Sequence, residues 1–238
     1  KLEPHCRPGV STWELDQMAG EIIKKAGAIP TFLGYGGFPG HICVSVNDTL
    51  IHGIPSKKII LKEGDIVSLD VGATYQGYCA DAARTFAVGN ISKEAERLVQ
   101  TTEESFWNAV KLAAKPRSHL SDISHEIQTY CENRGYTLTP DFTGHGIGRK
   151  LHEEPMIPNV GLPGFGPRLK VGMCLAIEPM VNEGRVELDI MSDEWTVKTR
   201  DGKLAAHYEN TIVITEQGCK ILTVLEEMEI ISGELVIS

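Results

Sequence analysis

The sequence predicts an α+β fold built from two similar halves that share one sheet. Three observations lead there: three helical stretches are separated by seven β-like runs, a helix–turn–strand pattern recurs at a constant offset of 108 residues, and acidic residues interrupt apolar strands at equivalent points of both copies. With 238 residues and 42% hydrophobic positions, the chain can bury an ordinary globular core. It reads as a single domain over 1–238, with halves at about 1–90 and 91–225.

The first helix opens on a capping box, Ser11 with Glu14, and carries Leu15, Met18, Ala19, Ile22, Ile23 and Ala26 on one face before Gly27 stops it. A second runs from about Ser92 to Lys115, with Leu98, Phe106, Ala109, Val110 and Ala113 facing inward. A third starts near Ser118 and ends at Gly135, with Leu120, Ile123, Ile127, Tyr130 and Cys131 as its apolar stripe. The β-like runs are Ile42–Val46, Lys58–Leu61, Ile66–Gly72, Cys79–Val88, Met173–Val181, Glu194–Thr199 and Leu204–Thr215. In the repeat, Pro8, Gly27, Gly36 and Gly40 fall on Pro116, Gly135, Gly144 and Gly148. Leu61-Lys62-x-Gly64 falls on Leu169-Lys170-x-Gly172, and six residues further on Asp70 falls on Glu178.

Charge narrows the function classes. A net charge of −9, spread along the chain, disfavours nucleic-acid binding, which needs a basic stripe. No apolar run reaches membrane-spanning length, and no signal-peptide pattern is present. Six cysteines without a CxxC pair fit a reducing cytoplasm better than a disulfide framework.

Carboxylates inside strands are the strongest chemical signal. A hairpin folded between Tyr75 and Gln76 pairs Asp70 directly with Asp81. At ~5 Å and an effective dielectric of ~20, two such charges repel by roughly 3 kcal/mol. A cation relieves this, although Arg84 is near enough in sequence to be a rival partner. Glu178 and Glu209 break apolar runs in the same way, and a buried unpaired charge costs several kcal/mol. Together the four carry a charge that two divalent cations match. Thr143-Gly144-His145-Gly146-Ile147-Gly148 presents an imidazole between glycines, His152 follows seven residues later, and His52 ends a strand at a turn. Neither a zincin HExxH nor a dinucleotide fingerprint is present. His5, His41, His119, His125 and His207 read as surface or structural residues.

The ordered set resembles type I methionine aminopeptidases of the bacterial kind. The matching segments are Val46-Asn47-Asp48 to Pro55, Asp65 to Val71, Asp81 to Thr85, Gly144 to Pro155, Ile177-Glu178-Pro179-Met180, Trp195 to Thr199 and Tyr208 to Thr211. The likeness runs from about Leu2 to Thr223 and implies the pita-bread fold. It begins at the end of the family's first helix, which is therefore expected to be truncated, and it leaves the tail Glu226–Ser238 without a functional account.

The resemblance implies that Asp70, Asp81, His145, Glu178 and Glu209 hold two divalent ions, with Co, Mn, Fe(II) and Zn all admissible. It implies hydrolytic removal of an N-terminal methionine when the next residue is small. Glu178 would act as general base, His152 would stabilise the oxyanion, and His52 would contact the scissile amide. Phe32, Tyr35, Phe38, Cys43, Leu151 and Trp195 would line the methionine pocket together with both histidines. Leu151 stands where an aromatic is frequent and Asn210 where a histidine is frequent. Nascent chains at the ribosome are the implied substrate, and a cytoplasmic monomer the implied form. Prolidases share the metal set but usually carry a further N-terminal domain, and a non-catalytic binding module would usually lack ligands.

Overall fold

In the computed structural model, which describes residues 1–237, the helices are α1 (Thr12–Lys25), α2 (Lys93–Leu112) and α3 (Leu120–Glu132). The Ser11 side chain accepts from Glu14 N–H while the Glu14 carboxylate accepts from Ser11 N–H, the expected capping box. Ser92 caps α2 in the simpler way, through its hydroxyl on Ala95 N–H. α1 packs on the first half through Leu15, Ala19 and Ile23, whereas α2 and α3 bury Leu98, Phe106, Ile123 and Ile127 against the second half. Among the described residues no helix is long and apolar enough to cross a membrane.

The 108-residue repeat is a repeat of hydrogen bonds. Leu61 N–H donates to Val10 O as Leu169 N–H does to Ser118 O, and Ala28 N–H donates to Ile23 O as Tyr136 N–H does to Cys131 O. Ile29 pairs with Thr74 as Thr137 pairs with Asn182, and the bridge Ser11–Ile60 recurs as His119–Arg168.

Strand Ile66–Tyr75 is flanked on one edge by Ile29–Pro30 and Cys43–Val46, and on the other by Tyr78–Ala87. In the second half the equivalent strand is broken. Cys174–Ile177 belongs to a seven-stranded sheet, whereas Met180–Asn182 belongs to a three-stranded one. Pro179 has no N–H for a ladder, so the break falls at Glu178-Pro179. The expected run Leu204–Thr215 breaks opposite it, into Ala205–His207 and Asn210–Ile214, which pair with the two pieces.

Two further expectations are corrected. Lys58–Leu61 is no strand; only the isolated bridge at Ile60 forms. Glu194–Thr199 contracts to Val197–Thr199 because the Asp193 carboxylate accepts from Trp195 N–H and Thr196 N–H, taking both from any ladder. The tail is also ordered into sheet. Gly218–Ile221, Met228–Ile231 and Glu234–Ile237 extend the seven-stranded sheet, with Ser232 and Gly233 at φ 53° and 89° closing the last hairpin.

The halves join along a seam between Tyr78–Ala87 and the strand pair at 205–214. Ala83 and Glu209 exchange backbone hydrogen bonds, and the Thr85 hydroxyl bridges His207 N–H and C=O. The Thr211 hydroxyl accepts from Asp81 N–H at 3.0 Å and donates to Asp81 O at 2.9 Å. Thr211→Val keeps the shape but leaves both buried backbone groups unpaired. Urea unfolding should show a loss of about 2–4 kcal/mol, and an unchanged midpoint would refute this account of the seam.

Candidate metal centre

The hairpin that carries the first two carboxylates turns one residue later than expected. Gln76 and Gly77, at φ 50° and 81°, occupy the two central positions of a tight turn that requires left-handed backbone at both. Tyr75 therefore pairs with Tyr78, Asp70 with Ala83 and Asp81 with Gly72, instead of Asp70 with Asp81. Each partner moves by two residues, which preserves the face, so the carboxylates still converge as diagonal neighbours. Gly72 leaves room for the Phe32 ring, which a Cβ there would meet at 2.4 Å.

Glu178 and Glu209 enter from the two opposed strand breaks. Among the described residues none of the four carboxylates has a Lys or Arg partner. The Arg84 guanidinium goes elsewhere: it donates to Ala83 O, Glu209 O and Asn210 Oδ1 and stacks on Tyr208. Asp70 Oδ1, Asp81 Oδ1 and Glu209 Oε1 are buried without a hydrogen-bond partner. Burial raises Asp70 to about 6 and Glu178 to about 8, and pushes Asp81 and Glu209 well above the usual carboxylate range, with mutual repulsion adding to the last two. Acidic groups so placed are waiting for positive charge.

His145 stands on strand Thr143–Gly146, which pairs with Cys174–Ile177. A Cβ on Gly144 would lie 2.4 Å from Ala176 O, so glycine is what lets the strands close around the imidazole. Its Nδ1 lies 2.9 Å from Gly146 O; a carbonyl only accepts, so Nδ1 carries the proton and Nε2 keeps its lone pair. Nε2 is 3.6 Å from Glu178 Oε1. Donor atoms of Asp81, His145 and Glu209 lie within 4.8 Å of one another, and so do those of Glu178, His207 and Glu209. Oxygen donors with imidazole, several of them orphaned, fit a divalent transition ion.

His207, expected to be a surface or structural residue, is not on the surface but stands beside the cluster. It is 2% exposed, with Nε2 3.5 Å from Glu178 Oε2. Its nearness in sequence to Glu209 is the one local signal that marks it. His41 is structural as expected, held by Asp16.

A cavity of about 280 Å³ opens beside the carboxylates, and Phe32, Tyr35, Phe38, Cys43, Leu151 and Trp195 all border it with His52 and His152. Phe38 meets the Trp195 indole edge-on at 5.2 Å. Tyr35 Oη lies 2.7 Å from His152 Nδ1, and the His152 ring sits 4.3 Å from that of His145. His52, at φ 56°, faces Phe142 and Trp195. Burial lowers His52 and His145 to about 4 and lowers His152 as well, so all three rings are neutral at pH 7. Ile51, Asp141, Phe142 and Thr143 also line the cavity; nothing in their local sequence marks them, since the chain brings them in through tertiary packing.

The comparisons agree with this geometry. The model of metallopeptidase family M24 matches residues 1–216. Methionine aminopeptidase of Clostridium acetobutylicum is 54% identical over 225 residues, covering 94% of this chain and 90% of that protein. The crystal structure of methionine aminopeptidase from Thermotoga maritima superimposes with a TM-score of 0.92 at 47% identity, covering 93% of this chain and 89% of that one. Prolidase from Pyrococcus furiosus gives 0.69 at 25% identity, and only 57% of it is covered. The two-half architecture is thus the pita-bread fold. By matched length, identity and architecture, the chain belongs to metallopeptidase family M24, on its methionine aminopeptidase branch.

Proposed function

We propose that this chain is a methionyl aminopeptidase that hydrolyses the first peptide bond of polypeptides whose N-terminal methionine precedes a small residue. One observation carries the reading: a short, apolar cavity ends against the carboxylate and imidazole cluster. Its volume of about 280 Å³ suits the first residue or two of a peptide. Phe32, Phe38, Cys43, Leu151 and Trp195 offer the thioether apolar and aromatic contact.

In this reading Asp70, Asp81, His145, Glu178 and Glu209 hold two divalent ions, of Mn, Fe(II), Co or Zn. Such ions, when bound, polarise the scissile carbonyl and lower the pKa of the attacking water. Glu178 takes the water proton at a carboxylate oxygen and passes it to the leaving amine. Tyr35 Oη lies 2.7 Å from His152 Nδ1, and in this reading the hydroxyl donates, so that the ring proton is on Nε2, the tautomer able to donate to a developing oxyanion. His52 is held neutral by burial and hydrogen-bonds the scissile amide without adding charge. The enzyme works as a cytoplasmic monomer on chains emerging from the ribosome, a setting that its free thiols suit.

Asp81→Ala and Glu209→Ala should each lower kcat/KM on Met-Ala-Ser more than 1,000-fold, on the order of losing the electrostatic machinery altogether, while circular dichroism shows an intact fold. Full activity in either variant would end the dinuclear reading. His152→Ala should cut kcat about 100-fold with metal content unchanged, and Tyr35→Phe about tenfold. Equal loss of metal and turnover in His152→Ala would instead make it a ligand. Met-Ala-Ser should be cleaved and Ala-Pro peptides left intact; preference for Xaa-Pro would point to the prolidase branch.

Stability should also respond to pH and metal. Glu178 rises from 4.5 to about 8 on folding, so the folded state holds a proton the unfolded chain has lost. His52 and His145 oppose this only below 6.5, their unfolded value. Between pH 6.5 and 8 the metal-free protein should therefore lose thermal stability as pH rises. Saturating Mn(II) should abolish the slope; a flat melting profile without metal would contradict it.

A further inference from the structure

His207 is left over by the mechanism above. Its backbone is satisfied by Thr85, whose hydroxyl accepts from His207 N–H and donates to its carbonyl. The ring nitrogen Nε2 is buried and has no hydrogen-bond partner. Residues 207 and 209 flank the strand break at Tyr208, and both side chains reach the same place: donor atoms of His207, Glu209 and Glu178 lie within 4.8 Å of one another. Tyr208 between them turns the other way, onto Phe106 and the Arg84 guanidinium.

Glu178 is consequently held between two imidazoles. His145 Nε2 stands 3.6 Å from Oε1 and His207 Nε2 stands 3.5 Å from Oε2. Both separations exceed a normal N–H···O bond of about 2.9 Å. They match the edge between two donors of one ion, which is about 3.4 Å for tetrahedral donors at about 2.1 Å. The triads Asp81–His145–Glu209 and Glu178–His207–Glu209 share Glu209 and contain one imidazole each.

We propose that His207 is a sixth metal ligand, donating Nε2 to the ion that does not take His145. The proposal rests on the dinuclear reading above and deepens it: each ion then has one imidazole among its oxygen donors. An imidazole at both positions tilts the pair toward Fe(II), Co or Zn and away from Mg. A cavity bordered by Arg84, Thr85 and Glu103 also reaches His207.

Two measurements test this. In wild-type protein labelled with 15N-histidine and saturated with 113Cd(II), two imidazole nitrogens should show one-bond coupling to cadmium, and His207→Gln should remove one of them. Calorimetric titration of metal-free His207→Gln with Mn(II) should show one site weakened at least tenfold and the other unchanged. A single coupled nitrogen in the saturated wild type overturns the assignment, as do identical titrations of wild type and variant. One ion per chain at saturation would overturn the dinuclear reading as well, which separates the two failures.

Discussion

Four acidic side chains, two from strands and two from strand breaks, are buried against one another with, among the described residues, no Lys or Arg to neutralise them. That arrangement governs the rest of the molecule. In the absence of cations burial disfavours the charged forms and lifts all four carboxyls above their ordinary range. Orphaned oxygens on Asp70, Asp81 and Glu209 are the same fact seen as geometry. A fold optimised for stability alone would have placed apolar residues there. This one keeps the unpaired charge and surrounds it with neutral imidazoles and an apolar cavity.

The site belongs to neither half alone. Asp70 and Glu178 occupy equivalent points of a repeated hydrogen-bond framework, while Asp81 and Glu209 are brought together by a seam of Thr211, Ala83 and Thr85 contacts. The halves differ where the chemistry differs. Asp70 lies within an unbroken strand, but Glu178 and Glu209 sit where both second-half strands change sheets. A break frees the backbone to aim a longer side chain inward, and Pro179 enforces it.

Much of this was readable from residues. Capping residues and the 3.6-residue period located the helices, and the offset of 108 anticipated the paired framework. The hairpin register differs from the expected one by one position of the turn, because Gln76 adopts the left-handed backbone that its residue type rarely takes. Parity rescued the inference, since a shift of two in pairing leaves side chains on the same face. Lys58–Leu61 forms no strand because its backbone serves the start of α1, with Ile59 O accepting from Thr12 N–H and Leu61 N–H donating to Val10 O while Ile59 and Ile60 stay exposed, and Asp193 withdraws two N–H groups from another expected strand. The terminal hairpin was legible in principle from its Ser232-Gly233 turn between apolar runs.

The order of residues fixes the chemistry available: acidic groups within apolar runs, an imidazole between glycines, and an order of motifs shared with methionine aminopeptidases. Those are local properties, set by which side chain alternates to which face. Tertiary structure alone decided which groups meet. It turned Arg84 away from the aspartates, set Tyr35 against His152, and brought His207 under Glu178. Such contacts join residues up to 126 positions apart, and no local period or propensity encodes a distance of that kind.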